Sequence, residues 1–274
     1  MPRRFLGPLA GVLTALLLPF LRRHTQTALR NLARAYPESS AAEKERILRD
    51  SAKSLILAGL EIFGVHAGQD PLRYLDSVSG LEKVEEAKAK GRGIVHVTAH
   101  LGNWELLVLI YARLGYAPRA LRQNLKDPRF DRLLDDFHES HGVGLIRRGG
   151  SALGAFRVLA RGGVLGILAD MDTNVDSVEA PFFGRRVRAP LGPVVLARRS
   201  GAALIPAFLS RNERGGHDLS VGEKIELDGL SDAEGAAAYT QAIEAAIRRD
   251  PGQWAWFQRR FQEPGDGEKP QGEN

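Results

Sequence analysis

The chain has 274 residues, 43% of them hydrophobic, no cysteine and a formal net charge of +5. It is long enough for one large domain or two small ones around a sizeable core, and without cysteine it has no disulfide, thiolate metal ligand or cysteine nucleophile. Residues 1–37 hold six arginines and no Asp, Glu or Lys, which leaves −1 on the rest of the chain. Such a balance points away from nucleic acid, whose binders spread basic residues over the folded surface, and towards an anionic membrane surface.

Residues 5–21 are uncharged and mostly apolar, between Arg3-Arg4 and Arg22-Arg23. The stretch stands at the short end of what spans a bilayer, and Pro8 and Pro19 weaken it as a straight helix. No small-x-small cleavage site follows it. It reads as an uncleaved anchor that spans the membrane or lies in its interface, the alternative being a buried N-terminal helix of a soluble domain. More arginine lies after it than before it, which places the body of the chain on the cytoplasmic side of an inner membrane. Residues 22–36 read as a basic helix ended by Pro37. Ser40 and Glu43 form a capping-box pattern that opens a helix near 41–65. A short helix at 84–90 precedes the breakers Gly91 and Gly93.

The pattern then changes. Residues 94–98, Ile-Val-His-Val-Thr, form a β-branched run of strand length. A helix is expected over about 103–114, a strand at 118–121, a polar helix at 127–141, a strand at 143–146 and a helix at 151–161. Strand 164–169 ends at Asp170. A helix at 193–200, strands at 203–208 and near 223–227, and a helix at 232–249 complete the series. Strands alternating with helices imply an α/β fold: a mixed, largely parallel central sheet flanked by helices. The organisation is an anchoring segment at 1–36, one catalytic domain at 37–262 and a solvated, disordered tail at 263–274.

His100 follows the first strong strand and precedes a helix, and ligands bind outside the carboxyl ends of strands in open parallel sheets. Glu105 can reach it if His100 sits in the loop and Glu105 in the first helical turn, with Gly102 permitting the tight turn between them. A carboxylate on one imidazole nitrogen fixes the tautomer and frees the other nitrogen as a general base. The same histidine could equally cap the helix, and Trp104 could be core packing. No Gly-x-Ser-x-Gly elbow, Walker loop or Gly-x-Gly-x-x-Gly turn is present. His96 and His100 lack further ligands for zinc, so no metal is expected.

The segment His100-Leu101-Gly102-Asn103-Trp104-Glu105 resembles the His-x4-Asp/Glu box of glycerolipid-type acyltransferases. Over about residues 20–262 the chain is similar to the bacterial lipid A biosynthesis acyltransferases. The further points of similarity are Arg30-Asn31-Leu32 with Tyr36-Pro37-Glu38, Arg122 with Asn124, Arg148, Ala169-Asp170-Met171-Asp172, Pro181-Phe182-Phe183-Gly184 and Trp256-Phe257-Gln258-Arg259-Arg260-Phe261. The resemblance implies transfer of a fatty acyl chain to a hydroxyl of a membrane glycolipid of the lipid A precursor type. The donor it implies is an acyl-carrier-protein (or coenzyme A) thioester that brings its own phosphopantetheine, so no cofactor is expected. It makes His100 the base and Glu105 its orienting partner. Arg122 and Arg148 would bind the thioester oxyanion or a phosphate, and Asn124 would position one of these groups. Asp170 and Asp172 are substrate-binding candidates beyond a strand, with N-cap or turn roles as the alternative. Arg259 and Arg260 are further substrate-binding candidates and would join Trp254, Trp256 and Phe257 in an interfacial patch, core packing being the alternative for the aromatics. The run Arg185-Arg186-Val187-Arg188 faces lipid headgroups, an acidic carrier protein or solvent. Another acceptor, such as a lysophospholipid, an ornithine lipid or a phosphoinositide mannoside, fits the same chemistry.

Overall fold

The computed structural model describes residues 3–122, 127–147, 152–171, 175–258 and 260–261. In chain order the elements are α1 (Arg3–Leu17), α2 (Arg22–Ala35), α3 (Ala41–His66), β1 (Leu75–Ser79), α4 (Glu82–Ala89), β2 (Ile94–Thr98), α5 (Trp104–Arg113), β3 (Arg119–Arg122) and α6 (Pro128–Ser140). They continue with β4 (Gly144–Arg147), α7 (Ala152–Ala160), β5 (Val164–Leu168), β6 (Ser177–Phe182), β7 (Arg185–Pro190), α8 (Gly192–Ser200), β8 (Ala203–Arg211), β9 (His217–Val221) and α9 (Asp232–Arg249). Local chemistry sets several boundaries. Ser40 Oγ accepts from the Glu43 amide at 3.2 Å while the Glu43 carboxylate accepts from the Ser40 amide at 2.8 Å, which closes the expected capping box. Ser231 and Glu234 repeat the device at the start of α9.

Among the described residues the strands form a seven-stranded sheet in the order β1-β9-β8-β2-β5-β3-β4. Within that sheet only the β8–β9 pair is antiparallel, and β6 and β7 form a separate antiparallel pair. The fold is therefore the expected mixed α/β one with helices on the sheet. Strand β2 sits at its centre, buried on both faces. Val95, Val97 and Ala99 pack into one core layer, and Ile94 into the other. Alternation along the strand puts His96 and Thr98 on the Ile94 side.

The late strand differs from expectation. It lies at His217–Val221, and Ile225 makes only an isolated bridge to Leu204. The strand's inward positions are His217, Leu219 and Val221, and a polar residue at the first of these hides the alternation. The edge strand β1 and the hairpin β6–β7 were also illegible, β1 because it is mostly exposed and polar. In the hairpin the Pro181-Phe182-Phe183-Gly184 run ends β6 and makes the turn at its last two residues. Phe183 and Gly184 have φ of 51° and 71°, the left-handed pair that a tight hairpin requires. Arg185, Arg186 and Arg188 are exposed on β7, while Val187 is buried.

Helix α1 packs against α3, and its Arg3 donates to Asp76 at 2.9 Å. Its outer side exposes Phe5, Leu9, Val12, Leu16 and Leu17, continued by Phe20. Residues 3–20 are long and apolar enough to cross a membrane. The tail at 263–274 lies outside the described residues.

Beneath the sheet's C-terminal edge α3 buries Glu61 completely. Its carboxylate accepts from Arg211 Nη2 at 2.8 Å, His217 Nε2 at 2.9 Å and Asn103 Nδ2 at 2.9 Å. Burial alone would raise this carboxyl, but the bonds and charges of His217 and Arg211 prevail and hold it at about 2. A carboxylate with a depressed folded pKa stabilises above its unfolded pKa, and that contribution fades as the pH falls from 4.5 to about 2. Glu61→Gln leaves Arg211 without its buried counter-charge and is expected to destabilise the fold by about 3–5 kcal/mol. Acid unfolding followed by circular dichroism should show the variant losing pH dependence in that same window.

Candidate active site

The loop between β2 and α5 is held from every side. Gly102 has a φ of 61°, and a Cβ there would collide with the Leu209 carbonyl, so only glycine fits. Its amide donates to the Gln253 carbonyl at 3.0 Å, and the His100 carbonyl accepts from Ala255 at 2.9 Å. Asn103 caps α5, its Oδ1 accepting from the Leu106 amide at 3.0 Å. The other end of that side chain donates to Glu61, which ties the loop to the buried network.

These restraints set His100 at the carboxyl end of β2, with its side chain 17% exposed. Its hydrogen-bonded carboxylate is not Glu105. His100 Nδ1–H donates to Asp170 Oδ1 at 2.8 Å and the His100 amide to Asp170 Oδ2 at 2.8 Å. Trp254 Nε1–H completes the set on Oδ2 at 2.7 Å. Asp170 is fully buried. It follows β5, whose register places Leu168 beside Thr98, so two adjacent strands deliver the acid and the base side by side. Burial alone would raise the Asp170 carboxyl; the charge and bonds of His100 and the Trp254 indole outweigh it and hold it below the usual range. For His100 burial works downward, and the Asp170 charge and bond, aided by the Glu105 charge, raise it above its ordinary value. The Trp104 ring meets the imidazole edge-on, with centroids 4.9 Å apart.

Glu105 does occupy the first turn of α5, but its Oε2 pairs with His138 Nε2 of α6 at 2.9 Å. The other ring nitrogen of His138 donates to the Leu134 carbonyl at 2.8 Å. Both partners accept, so the arrangement suits an imidazolium. Burial pulls His138 down, and the Glu105 bond and charge raise it. Glu105 thus reaches His100 through its field rather than through a bond.

His100, Trp104, Glu105 and His138 line a cavity of about 1010 Å³. It runs between the sheet and helices α5 and α6, with Val108 and Leu134 among its apolar walls. Helix α2 adds Arg23, His24 and Thr27, and the C-terminal segment adds Phe257 and Gln258. The arrangement can accept a proton at His100 beside a large, mostly apolar channel.

Of the other residues singled out in the sequence, Arg122 lines the cavity. Its guanidinium is met by Asp135 at 2.9 Å through Nε and by Asp131 at 2.6 Å through Nη2. Arg260 departs from expectation: it is buried away from the cavity lining, donates to the Arg188 carbonyl at 2.6 Å and lies 4.9 Å from the Phe182 ring centre. Trp254 and Trp256 are likewise core residues, whereas their neighbours Phe257 and Gln258 line the cavity. Asn124, Arg148, Asp172 and Arg259 lie outside the described residues. Sequence reasoning missed Trp254, His138 and Glu61 as partners of the site. Asp170 carried a visible signal, an acid directly after a buried strand, but its pairing with His100 depends on strand order.

Fold and site define an α/β protein with a carboxylate-supported histidine over a large, mostly apolar cavity. The chain belongs to the bacterial lipid A biosynthesis acyltransferase family, whose model matches residues 1–263; it is an acyltransferase. It is 28% identical over 266 residues to the lipid A biosynthesis palmitoleoyltransferase of Escherichia coli (strain K12), covering 94% of this chain and 84% of that protein. It is 27% identical over 263 residues to the lipid A biosynthesis lauroyltransferase of the same organism, covering 92% and 83%. A phosphatidylinositol mannoside acyltransferase of Mycobacterium tuberculosis (strain ATCC 25618 / H37Rv) is 29% identical over 193 residues, covering 68% of this chain and 61% of that protein.

A histidine with a raised pKa accepts a proton only above it, so acyl transfer that runs through His100 should show an acid limb of kcat/KM above the ordinary histidine value of 6.5. Asp170→Asn removes the charge and the tautomer control. It is expected to move that limb to lower pH and to cut the plateau roughly a hundredfold or more, read from a pH–rate profile.

Proposed function

We propose that the protein is an O-acyltransferase that moves a fatty acyl chain from an acyl-carrier-protein thioester to a hydroxyl of a membrane glycolipid of the lipid A precursor type. The observation that carries this reading is His100, fixed through Nδ1 by buried Asp170 at the rim of the large channel. With Nδ1–H committed, Nε2 is the nitrogen available to the acceptor. It takes the hydroxyl proton as the oxygen attacks the thioester carbonyl. The tetrahedral intermediate collapses, the C–S bond breaks, and the leaving thiolate receives the proton from Nε2. Asp170 steadies the transient imidazolium without taking the proton, and the Glu105 charge favours the same state. The His138 imidazolium holds Glu105 in place.

The acyl chain occupies the channel between the sheet and α5. The acceptor enters past Arg23 and His24 of α2, directly after the apolar helix α1, which supports delivery from a membrane. The arginines that follow α1 support a site on the cytoplasmic face of the inner membrane. Likeness to a phosphatidylinositol mannoside acyltransferase supports a second reading, the same chemistry on a phosphoinositide mannoside.

His100→Ala is expected to lower transfer from acyl-carrier-protein thioester at least a thousandfold while the folded protein still sediments with membranes. Full activity in that variant sinks the mechanism. Mass spectrometry of lipids from a deletion strain decides the acceptor: a loss confined to lipid A species supports the first reading, and a loss confined to mannosylated phosphoinositides the second.

A further inference from the structure

One part of the channel wall is chemically out of place. His96 and Tyr111 are buried at 4% and 2% exposure, and both line the cavity. Their rings lie edge to face with centroids 5.0 Å apart. Neither His96 Nε2 nor the Tyr111 hydroxyl has a hydrogen-bond partner. His96 Nδ1–H donates to the Ile205 carbonyl at 3.0 Å, and burial pulls the imidazole down to about 4, so the ring is neutral and Nε2 presents a lone pair. The Tyr111 hydroxyl can donate beside it. An acceptor and a donor on adjoining rings complement a third O–H group.

Their depth is set by the strand. His96 stands four residues before His100 on β2, about 13 Å along it at ~3.3 Å per residue. It pairs in register with Gly166, which also lines the cavity. Every channel position between His100 and this level is within reach of a medium-length acyl chain.

From this geometry we infer that the deep half of the channel holds a polar subsite, built from His96 Nε2 and the Tyr111 hydroxyl, that binds one hydroxyl group. That hydroxyl comes either from an oxygenated acyl chain or from a water trapped below the methyl end of a shorter chain. An unsubstituted chain pushed past this level buries both polar atoms unpaired, which weakens its binding. The subsite therefore sets which chains the enzyme accepts. The inference rests on the reading that the channel holds the acyl chain.

The experiment is displacement of a fluorescent fatty acid from the full-length protein in detergent. The competitors are decanoic, lauric, myristic and palmitic acids, and the same acids with a single hydroxyl scanned along the chain. Binding of the plain acids should tighten about fourfold per methylene until the chain reaches the pair, and then stop tightening. A hydroxyl at the matching depth should tighten binding about tenfold; a break without that gain assigns the subsite to water. Tyr111→Phe, which keeps the ring, and His96→Leu should both remove the break and the gain. No break and no gain in the wild type, or either effect persisting in both variants, overturns the subsite. Gly166→Leu separates this failure from that of the underlying reading. A Cβ at Gly166 meets only the Arg119 carbonyl at 3.8 Å, so the larger side chain projects into the channel. If it leaves palmitic acid binding unchanged, the channel is not the acyl site.

Discussion

A carboxylate with no exposure to water organises this molecule. Asp170 accepts three hydrogen bonds, from the His100 ring, the His100 amide and the Trp254 indole. A buried charge is costly unless it is paired and its lone pairs are occupied. Here every donor comes from a segment that the site must hold still: the loop after β2 and the C-terminal segment. The requirement to satisfy Asp170 and the requirement to aim His100 are therefore one constraint.

That constraint explains why distant parts of the chain converge. The indole of Trp254 is in place because Ser51 of α3 donates to its carbonyl at 2.5 Å and Gln253 bonds Arg211 in both directions. Two residues on, Asn31 of α2 donates to the carbonyls of Trp256 and Gln258 at 2.8 and 2.6 Å. The C-terminal aromatic run thus works as a clasp over the β2 loop, and Arg260 is spent on that clasp rather than on substrate. Helix α2, which follows the apolar N-terminal helix, is tied to the same clasp and lines the channel. The apolar N-terminal helix and the candidate site are mechanically joined.

The two carboxylates near His100 divide the labour. Asp170 acts through a hydrogen bond in the interior. Glu105 acts through charge at the channel, held by His138, whose other ring nitrogen faces the Leu134 carbonyl. Below the loop the Glu61 network repeats the theme, with Asn103 as the link between helix cap and buried charge.

The sequence by itself determined most elements and marked His100 as the candidate base. Periodicity and capping residues marked α3, β2 and α9, because those signals arise from neighbours along the chain. Strand β2 had to be buried, and His100 had to stand at its carboxyl end. The polar strand β9 and the exposed edge strand β1 stayed hidden because their faces carry too little apolar alternation to mark a period. What only the tertiary structure decided was the partner of His100. A local argument favours Glu105, five residues away, but β5 lies beside β2, and that adjacency puts Asp170 at 2.8 Å. Strand order is set by packing over the whole sheet. A residue 70 positions away therefore takes the role that local spacing seemed to assign to a neighbour.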